Sequence, residues 1–379
     1  MRRLLFLALL ALSPATVAAQ ASQFGVRGLG VPGRPLSTRA AGSSGAFAMF
    51  DAESGLNPAT LGGLATMTAT FNTSTSFRNV ENPAGSESLR STRFPLVFFG
   101  GPARGTPFGF AVSYSNYMNR DFSNATIDTL ELRDFLIPVF DTLTSRGGMN
   151  DLRVAGSFKP RERSVFGAAL HILTGTNRME SHRTFSDQQY LPVKQSTELS
   201  FAGVGGSLGL VHQLGRSLWV AAVARADGSA KVDRDSARVG TIDLPYSLGL
   251  GLRMKAGAKL DLAAHGTFRT WSGANSDLLA AGGAGSDNTV EVTFGGEFVN
   301  PRRPYQGPIR FGAHYATLPF LLPPGFQPAE YGASLGTGMR FAQDRAGVDL
   351  SVAYLARSAA GGDFSERGFV LSFGVGVRP

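Results

Sequence analysis

Five histidines, His171, His182, His212, His265 and His314, are the residues with which this chain could do acid–base or metal chemistry. A hydrolase needs such a histidine in a recognisable setting with a serine nucleophile or a carboxylate partner. A zinc site needs a second ligand at close spacing, as in His-x-x-x-His. The sequence offers neither. His182 falls in a connecting segment, while His265 and His314 fall on alternating stretches and read as members of a polar ladder. With no cysteine, thiol chemistry, iron–sulfur clusters and cysteine zinc sites are closed off. The sequence therefore points away from an enzyme and calls for no metal or other cofactor.

The other charges are informative through their phase. Arg253, Asp261, His265, Arg269, Glu291, Glu297, Arg310, His314, Arg340 and Asp349 occupy the polar parity of stretches whose other parity is apolar. Thus Leu248, Leu250 and Leu252 oppose Arg253, and Val290, Val292 and Phe294 oppose Glu291 and Thr293. A strand sends successive side chains to opposite faces, so each stretch has one greasy and one wet face. Arg269, Arg310 and Arg340 are the wet-face groups able to meet a substrate carboxylate by bidentate contact, while His265 and His314 share that face as ladder members. Salt-bridge ladders between neighbouring strands are the competing role. The formal charge of +8 is carried mainly by scattered arginines. Such scatter fits pairing in an interior and contact with lipid headgroups, and no nucleic-acid partner is expected.

The elements behind this pattern number about fourteen, most with the ten or so residues a tilted strand needs to cross a hydrocarbon layer. Clear examples are 65–78, 242–254, 259–270, 290–298, 309–315, 348–357 and 369–377. A soluble sandwich alternates too, but here the connections separate the readings. Short turns (100–106, 159–163, 213–216, 255–258, the somewhat longer 300–307, and 342–345) alternate with long ones (120–148, 177–196, 226–241, 271–287, 318–330, 358–366). Outer-membrane barrels keep short turns on the periplasmic side and long loops outside. An open edge in lipid would strand backbone hydrogen-bonding groups, so the sheet must close. The expected fold is all-β: a transmembrane antiparallel β-barrel of about 14 strands. Tyr114, Tyr117, Trp271, Tyr305 and Phe77 lie near strand ends, where interfacial aromatic belts form.

Residues 1–19 read as a signal peptide, with Arg2 and Arg3, an apolar run from Leu4 to Leu12, and Val17-Ala18-Ala19 as the cleavage site. Beyond it the chain has no apolar run of roughly twenty residues, which rules out helical spans. The expected division is 1–19 signal, 20–62 N-terminal plug or hatch, and 63–379 barrel. The hatch segment is rich in Gly, Ala and Ser and carries a turn signal at Asn57-Pro58. A fourteen-strand interior is too wide for wall side chains to fill, so water or a plug must occupy it.

The run Gly42 to Ala48, Asp51-Ala52 and Asn57-Pro58-Ala59 with Leu61 resembles the FadL- and TodX-like outer-membrane transporters of long-chain fatty acids and aromatic hydrocarbons. The 308–315, 330–341 and 348–354 segments add to the likeness. Leu56 and Thr60 stand where that family commonly has an aromatic and a glycine, and the chain ends Val377-Arg378-Pro379 in place of a terminal aromatic. The resemblance implies passive uptake of a hydrophobic small molecule. Extracellular loops would capture it, a greasy internal pocket would hold it, and hatch movement would release it. Asn57, Pro58 and Ala59 form the hatch motif; Phe47, Met49, Phe50 and Leu56 are the hatch residues placed to line or gate the pocket. In the longest loop, apolar residues including Leu132, Phe135, Leu136 and Phe140 recur near helical spacing, with Pro138 kinking the helix. That amphipathic segment would cover the barrel mouth or give a first landing site. Expected partners are the apolar substrate and outer-membrane lipid or lipopolysaccharide, with the chain a monomer in the bacterial outer membrane. A non-transporting scaffold or shuttle in a secretion machine, and a general porin, are the alternatives.

Overall fold

The structure is a computed structural model that describes residues 23–82, 85–132, 135–187, 189–300, 307–322, 325–358 and 364–379. The expected signal peptide and Tyr305 lie outside the described residues.

Alternating sequence becomes strand almost throughout. The N-terminal part contributes β1 (Val31–Pro32), β2 (Thr68–Asn82), β3 (Gly85–Pro102), β4 (Phe108–Asn119), β5 (Phe122–Leu132) and β6 (Phe135–Arg161). Then come β7 (Ser164–Phe185), β8 (Val193–Gln213), β9 (Leu218–Ala226), β10 (Ser229–Arg234), β11 (Ala237–Asp243) and β12 (Tyr246–Ala256). The last are β13 (Leu260–Arg269), β14 (Thr289–Phe298), β15 (Ile309–Thr317), β16 (Ala329–Phe341), β17 (Ala346–Ser358) and β18 (Ser365–Val377). Leaving aside β1, β5, β10 and β11, fourteen of these described strands form one closed antiparallel ring. It shuts where β18 pairs with β2, from Val377 opposite Ala69 to Ser365 opposite Glu81. Closure leaves the ring no unpaired outer edge at that seam.

The phase read from sequence is the phase observed. Leu250, Val292, Phe294, Leu335 and Phe369 are exposed on the outer face, whereas Glu291, Glu297, Arg310, His314 and Asp349 are buried inside. Tyr114 and Phe77 face outward, as an interfacial belt requires, and Tyr246, Tyr315, Tyr331 and Tyr354 join them. Tyr117 and Trp271 do not. Trp271 is 2% exposed and packs edge-on to Phe320. It belongs to an apolar cluster with Leu29, Met149, Leu173 and Phe201, against which Tyr117 packs. No helix among the described residues is long and apolar enough to span a bilayer.

Several long connections are themselves sheet. The stretch expected to be an amphipathic helix is a hairpin, β5 with β6, paired from Phe122–Ser145 to Leu132–Phe135. Its apolar residues alternate: Ile137 and Val139 are buried, while Leu136 and Phe140 are exposed. β6 and β7 continue their pairing from the wall into this hairpin, up to Val139 opposite Phe185. A ready-made template edge therefore outweighs the helical spacing, which a two-residue period also satisfies at every fourth position. Pro138 lacks an N–H and would break a helix; here its carbonyl accepts from Ser186 N at 3.0 Å. A second hairpin, β10 with β11, leans on β8.

Residues 34–62 touch the inward side of the ring all the way round. Thr38 meets Asn72 on β2, Gly55 meets Arg153 on β6, and Asn57 meets β8. Arg34 and Arg39 reach Glu291 and Glu297 on β14, and Ser44 meets Ser334 on β16. A segment can reach that many walls only from within.

Candidate functional site

Asn57 shows why an Asn-Pro-Ala sequence suits the inner segment. It is fully buried and caps the short 3-10 turn Pro58–Gly63, its Oδ1 accepting from Ala59 N at 3.0 Å. Its Nδ2 donates to Met49 O at 3.2 Å and to Leu210 O on β8 at 3.3 Å. One amide thus closes the turn, ties it to the preceding loop and pins both to the wall. Aspartate could not donate, and alanine could do neither. Pro58 takes a first-turn position where an N–H would be spare. Ala59 is buried against β7 and β8 because Gly167 and Gly209 stand opposite; a methyl group at either would overlap this turn.

A second pin lies at Asn72. Its Oδ1 accepts from Thr38 N at 2.8 Å and from Thr38 Oγ1 at 2.9 Å, and its Nδ2 donates to Leu96 O at 3.2 Å. Leu96 matters because pairing of β3 with β4 runs only from Pro102–Gly109 to Leu96–Ser115. Next to it β3 carries one extra residue, since Asn72 faces Leu96 but Ser74 faces Arg93. Pro95 lies in this bulge and has no N–H to give β4. Among the described residues the two strands do not pair beyond Leu96, and the wall is open there. The freed edge of β4 is taken by β1, Val31 opposite Asn119 and Pro32 opposite Met118.

Three cavities among the described residues adjoin the inner segment: one of about 240 Å³ lined by Arg39, Glu297, Arg310 and Arg340, and two others. The smaller of these two, about 80 Å³, lies between Met49 and Leu56 on one side and Tyr117, Arg225 and Trp271 on the other. The larger of them, about 210 Å³, is bordered by Pro95 of β3, Asn116 of β4 and Val31 of β1, so this chamber sits against the wall opening. Arg34, Arg78, Arg93, Arg269 and Arg357, with Glu291 and Glu330, make its lining cationic, and they share it with apolar Val31, Pro32, Leu318, Leu355 and Val370. Further apolar side chains pack in the cluster around Trp271.

Most chamber cations are matched. Glu291 holds Arg34 at 2.8 Å and Arg269 at 3.2 Å. Glu366 holds Arg78 at 2.6 Å and Arg357 at 3.1 Å. Arg93 is the exception. Its only ion pair among the described residues is Asp121 at 3.3 Å, and its buried Nε has no hydrogen-bond partner. Its Nε, like that of Arg78, is closed to a ligand, but the partly exposed side chain gives the cavity a positive charge that favours an anionic oxygen.

Of the residues singled out from sequence, Met49 and Leu56 line the smallest cavity. Phe47 packs with Ala46 and Ala263 below Arg253, and Phe50 lies against Gly251. Arg269 borders both that cavity and the chamber. Arg310 is committed to Glu297 and Asp349, at 3.2 and 2.6 Å, with Arg340 4.0 Å from the same Asp349. His265 meets Thr293 at 2.8 Å, and His314 meets Glu330 at 3.0 Å. Leu132, Phe135, Leu136 and Phe140 stand on the hairpin and line none of the three cavities; Phe135 and Leu136 are more than two-thirds exposed. Sequence reasoning missed Arg78, Arg93 and Asn72, whose stretch was read as strand but whose neighbouring bulge no period reveals.

It also missed a polar network across three strands. His171 Nδ1 meets Asp151 at 2.8 Å and its Nε2 meets Ser207 Oγ at 2.9 Å. The order is that of a nucleophile, base and acid. Yet Asp151 also holds Arg225 at 2.8 Å, and Ser207 lines none of the three cavities. Beside it Arg153 donates to Gly55 O at 2.7 Å. The network ties neighbouring wall strands together, and Arg153 beside it ties the wall to the inner segment.

No protein-family model matches the chain, and no curated protein does. Solved structures do. A Pseudomonas aeruginosa FadL homologue superposes with a TM-score of 0.61 at 14% identity, over 92% of this chain and 99% of that one. The P. putida toluene transporter TodX gives 0.56 at 13%, over 92% and 99%. The Ralstonia pickettii toluene transporter TbuX gives 0.53 at 12%, over 96% and 100%. The chain has the fold of the FadL- and TodX-like transporters.

Proposed function

We propose that the protein is an outer-membrane transporter for passive uptake of hydrophobic small molecules, and that its cargo carries an anionic head. Residues 1–19 are the export signal, 20–62 the hatch and 63–379 the barrel, which closes on itself and works as a monomer. The observation that carries this reading is the cationic chamber, set between the inner segment and the opening beside Leu96, with the partly exposed Arg93 held by one carboxylate among the described residues. A carboxylate placed there gains a charge-assisted hydrogen bond, and an apolar tail can leave sideways between β3 and β4 into the bilayer. Of the two cargo classes named by the resemblance, the chamber favours fatty acids over neutral aromatic hydrocarbons. Asn72 links Thr38 of the hatch to Leu96 at the foot of the opening, so hatch movement and the opening share one side chain.

Uptake into vesicles tests it. With Arg93→Met, entry of a labelled long-chain carboxylate should fall about tenfold or more, the worth of one charge-assisted hydrogen bond. Entry of a neutral hydrocarbon should not change. Wild-type vesicles no faster than protein-free ones would overturn the reading. The exposed apolar side chains on the extracellular hairpins, Ile127, Phe135, Leu136 and Leu191, favour the scaffold as second reading; a stoichiometric protein partner on affinity purification would support it. A general porin would instead pass steady current in planar bilayers.

A further inference from the structure

The outward face of β2 and β3 departs from the apolar belt around the rest of the ring. Between Phe71 and Phe77 it presents Thr73 and Thr75, and across from them Thr92 and Arg90. The hydroxyls are satisfied internally: Thr75 meets Thr92 at 2.9 Å, and Thr73 Oγ1 donates to Arg93 O at 3.2 Å. These short side chains stand in register with large ones. Thr73 follows Leu350 and Phe373 along one row, and Thr75 follows Val352 and Leu371 along the next. The height difference cuts a groove of about 720 Å³ into the outer wall, within the roughly 300–1,000 Å³ range of ligand sites. A second hollow of about 690 Å³ continues it toward the long-loop end and shares Phe77 and Arg90 with it.

Arg90 is what the groove points to. It occupies one row with Tyr354, Phe369 and Phe77, the aromatic level of the extracellular interface. Its guanidinium lies 5.2 Å over the Phe77 ring, and no carboxylate among the described residues pairs with it. The neighbouring Arg367 is matched by Glu81. A cation facing the hydrocarbon boundary is costly unless an anion meets it there, and that boundary is where lipid phosphates sit.

We infer that this face holds one phosphate-bearing lipid of the outer leaflet, its phosphate on Arg90 and an acyl chain along the threonine-floored groove. The groove gives that chain a fitted surface, and the phosphate pairs the Arg90 charge. The site lies outside the ring and does not depend on the transport reading.

The test uses the full-length protein, delipidated by detergent exchange and read by native mass spectrometry. Titration with phosphatidylglycerol should give one retained lipid, bound about tenfold or more tighter than diacylglycerol of the same chains. Arg90→Gln should remove that preference while leaving vesicle uptake intact, and Thr75→Phe, which fills the groove, should weaken both lipids. Equal retention of the two lipids, an unchanged Arg90→Gln variant, displacement by a long-chain carboxylate, or a dimer that covers this face and excludes lipid would each overturn the inference.

Discussion

Arg310 shows what a buried charge does in this interior. It is 4% exposed, yet it satisfies Glu297 on its own pairing partner strand and Asp349 two strands away. Removing one member of such a set leaves carboxylates buried without their partner, which costs more than the set itself contributes. Arg310→Ala should destabilise the barrel by about 3–5 kcal/mol, checked by urea unfolding in lipid vesicles. Partner count also separates Arg310 from Arg93. Arg310 is buried and holds two carboxylates; Arg93 is partly exposed, borders the chamber and holds one. Residue type alone makes the two equivalent, and only their neighbours divide them.

At the scale of elements, the inner segment holds by close backbone approach. Gly167 and Gly209 leave room for the Asn57–Thr60 turn, and Gly312 leaves room for Ser43. Gly167→Val should therefore unseat the turn without opening the strand pairing. The expected outcome is raised conductance in planar bilayers at unchanged strand content by circular dichroism. The β5–β6 hairpin stands at the other extreme. Phe135 and Leu136 touch little, so Phe135→Ser with Leu136→Ser should change stability by no more than about 0.5 kcal/mol. If the hairpin gives cargo its first apolar contact, uptake rate should fall in the same variant, whereas capacity should not.

For the whole molecule, the inner segment is tied to the short-turn end through Glu53. It meets Arg378 at 2.8 Å, and Arg378 in turn approaches Asp344 at 3.5 Å. Burial first, then the neighbouring Asp51, holds the Glu53 carboxyl above the usual carboxylate range against the opposing pull of Arg378, Arg340 and Arg39. The docked state thus keeps a proton that an undocked, solvated Glu53 would lose. Docking is favoured most below the ordinary carboxylate pKa and weakens as pH rises through the raised one. Hydrogen-exchange protection factors of residues 34–62, corrected for the intrinsic pH dependence of amide exchange, should be higher in mild acid than at neutral pH, and Glu53→Gln should abolish that difference.

Much of this architecture was legible in the sequence because a membrane wall imposes a strict period. Val290 to Glu297 could be assigned to faces residue by residue, since a charge on lipid and a phenylalanine in a polar interior are both penalised. The inner segment was legible as a short turn motif at Asn57 with small residues around it. Local periodicity could not place Tyr117 and Trp271 in the interior, or turn the Leu130–Leu143 stretch from helix into hairpin, because β6 and β7 supply that edge only after they pair. Nor could it find the opening beside Leu96 or set Arg78 and Arg93 on the chamber it borders. A single extra residue in β3 breaks a register fixed by β2 and β4, and such pairings join residues far apart in the chain. Phase along a strand belongs to sequence; which strands meet, and where they part, is decided only when the ring closes.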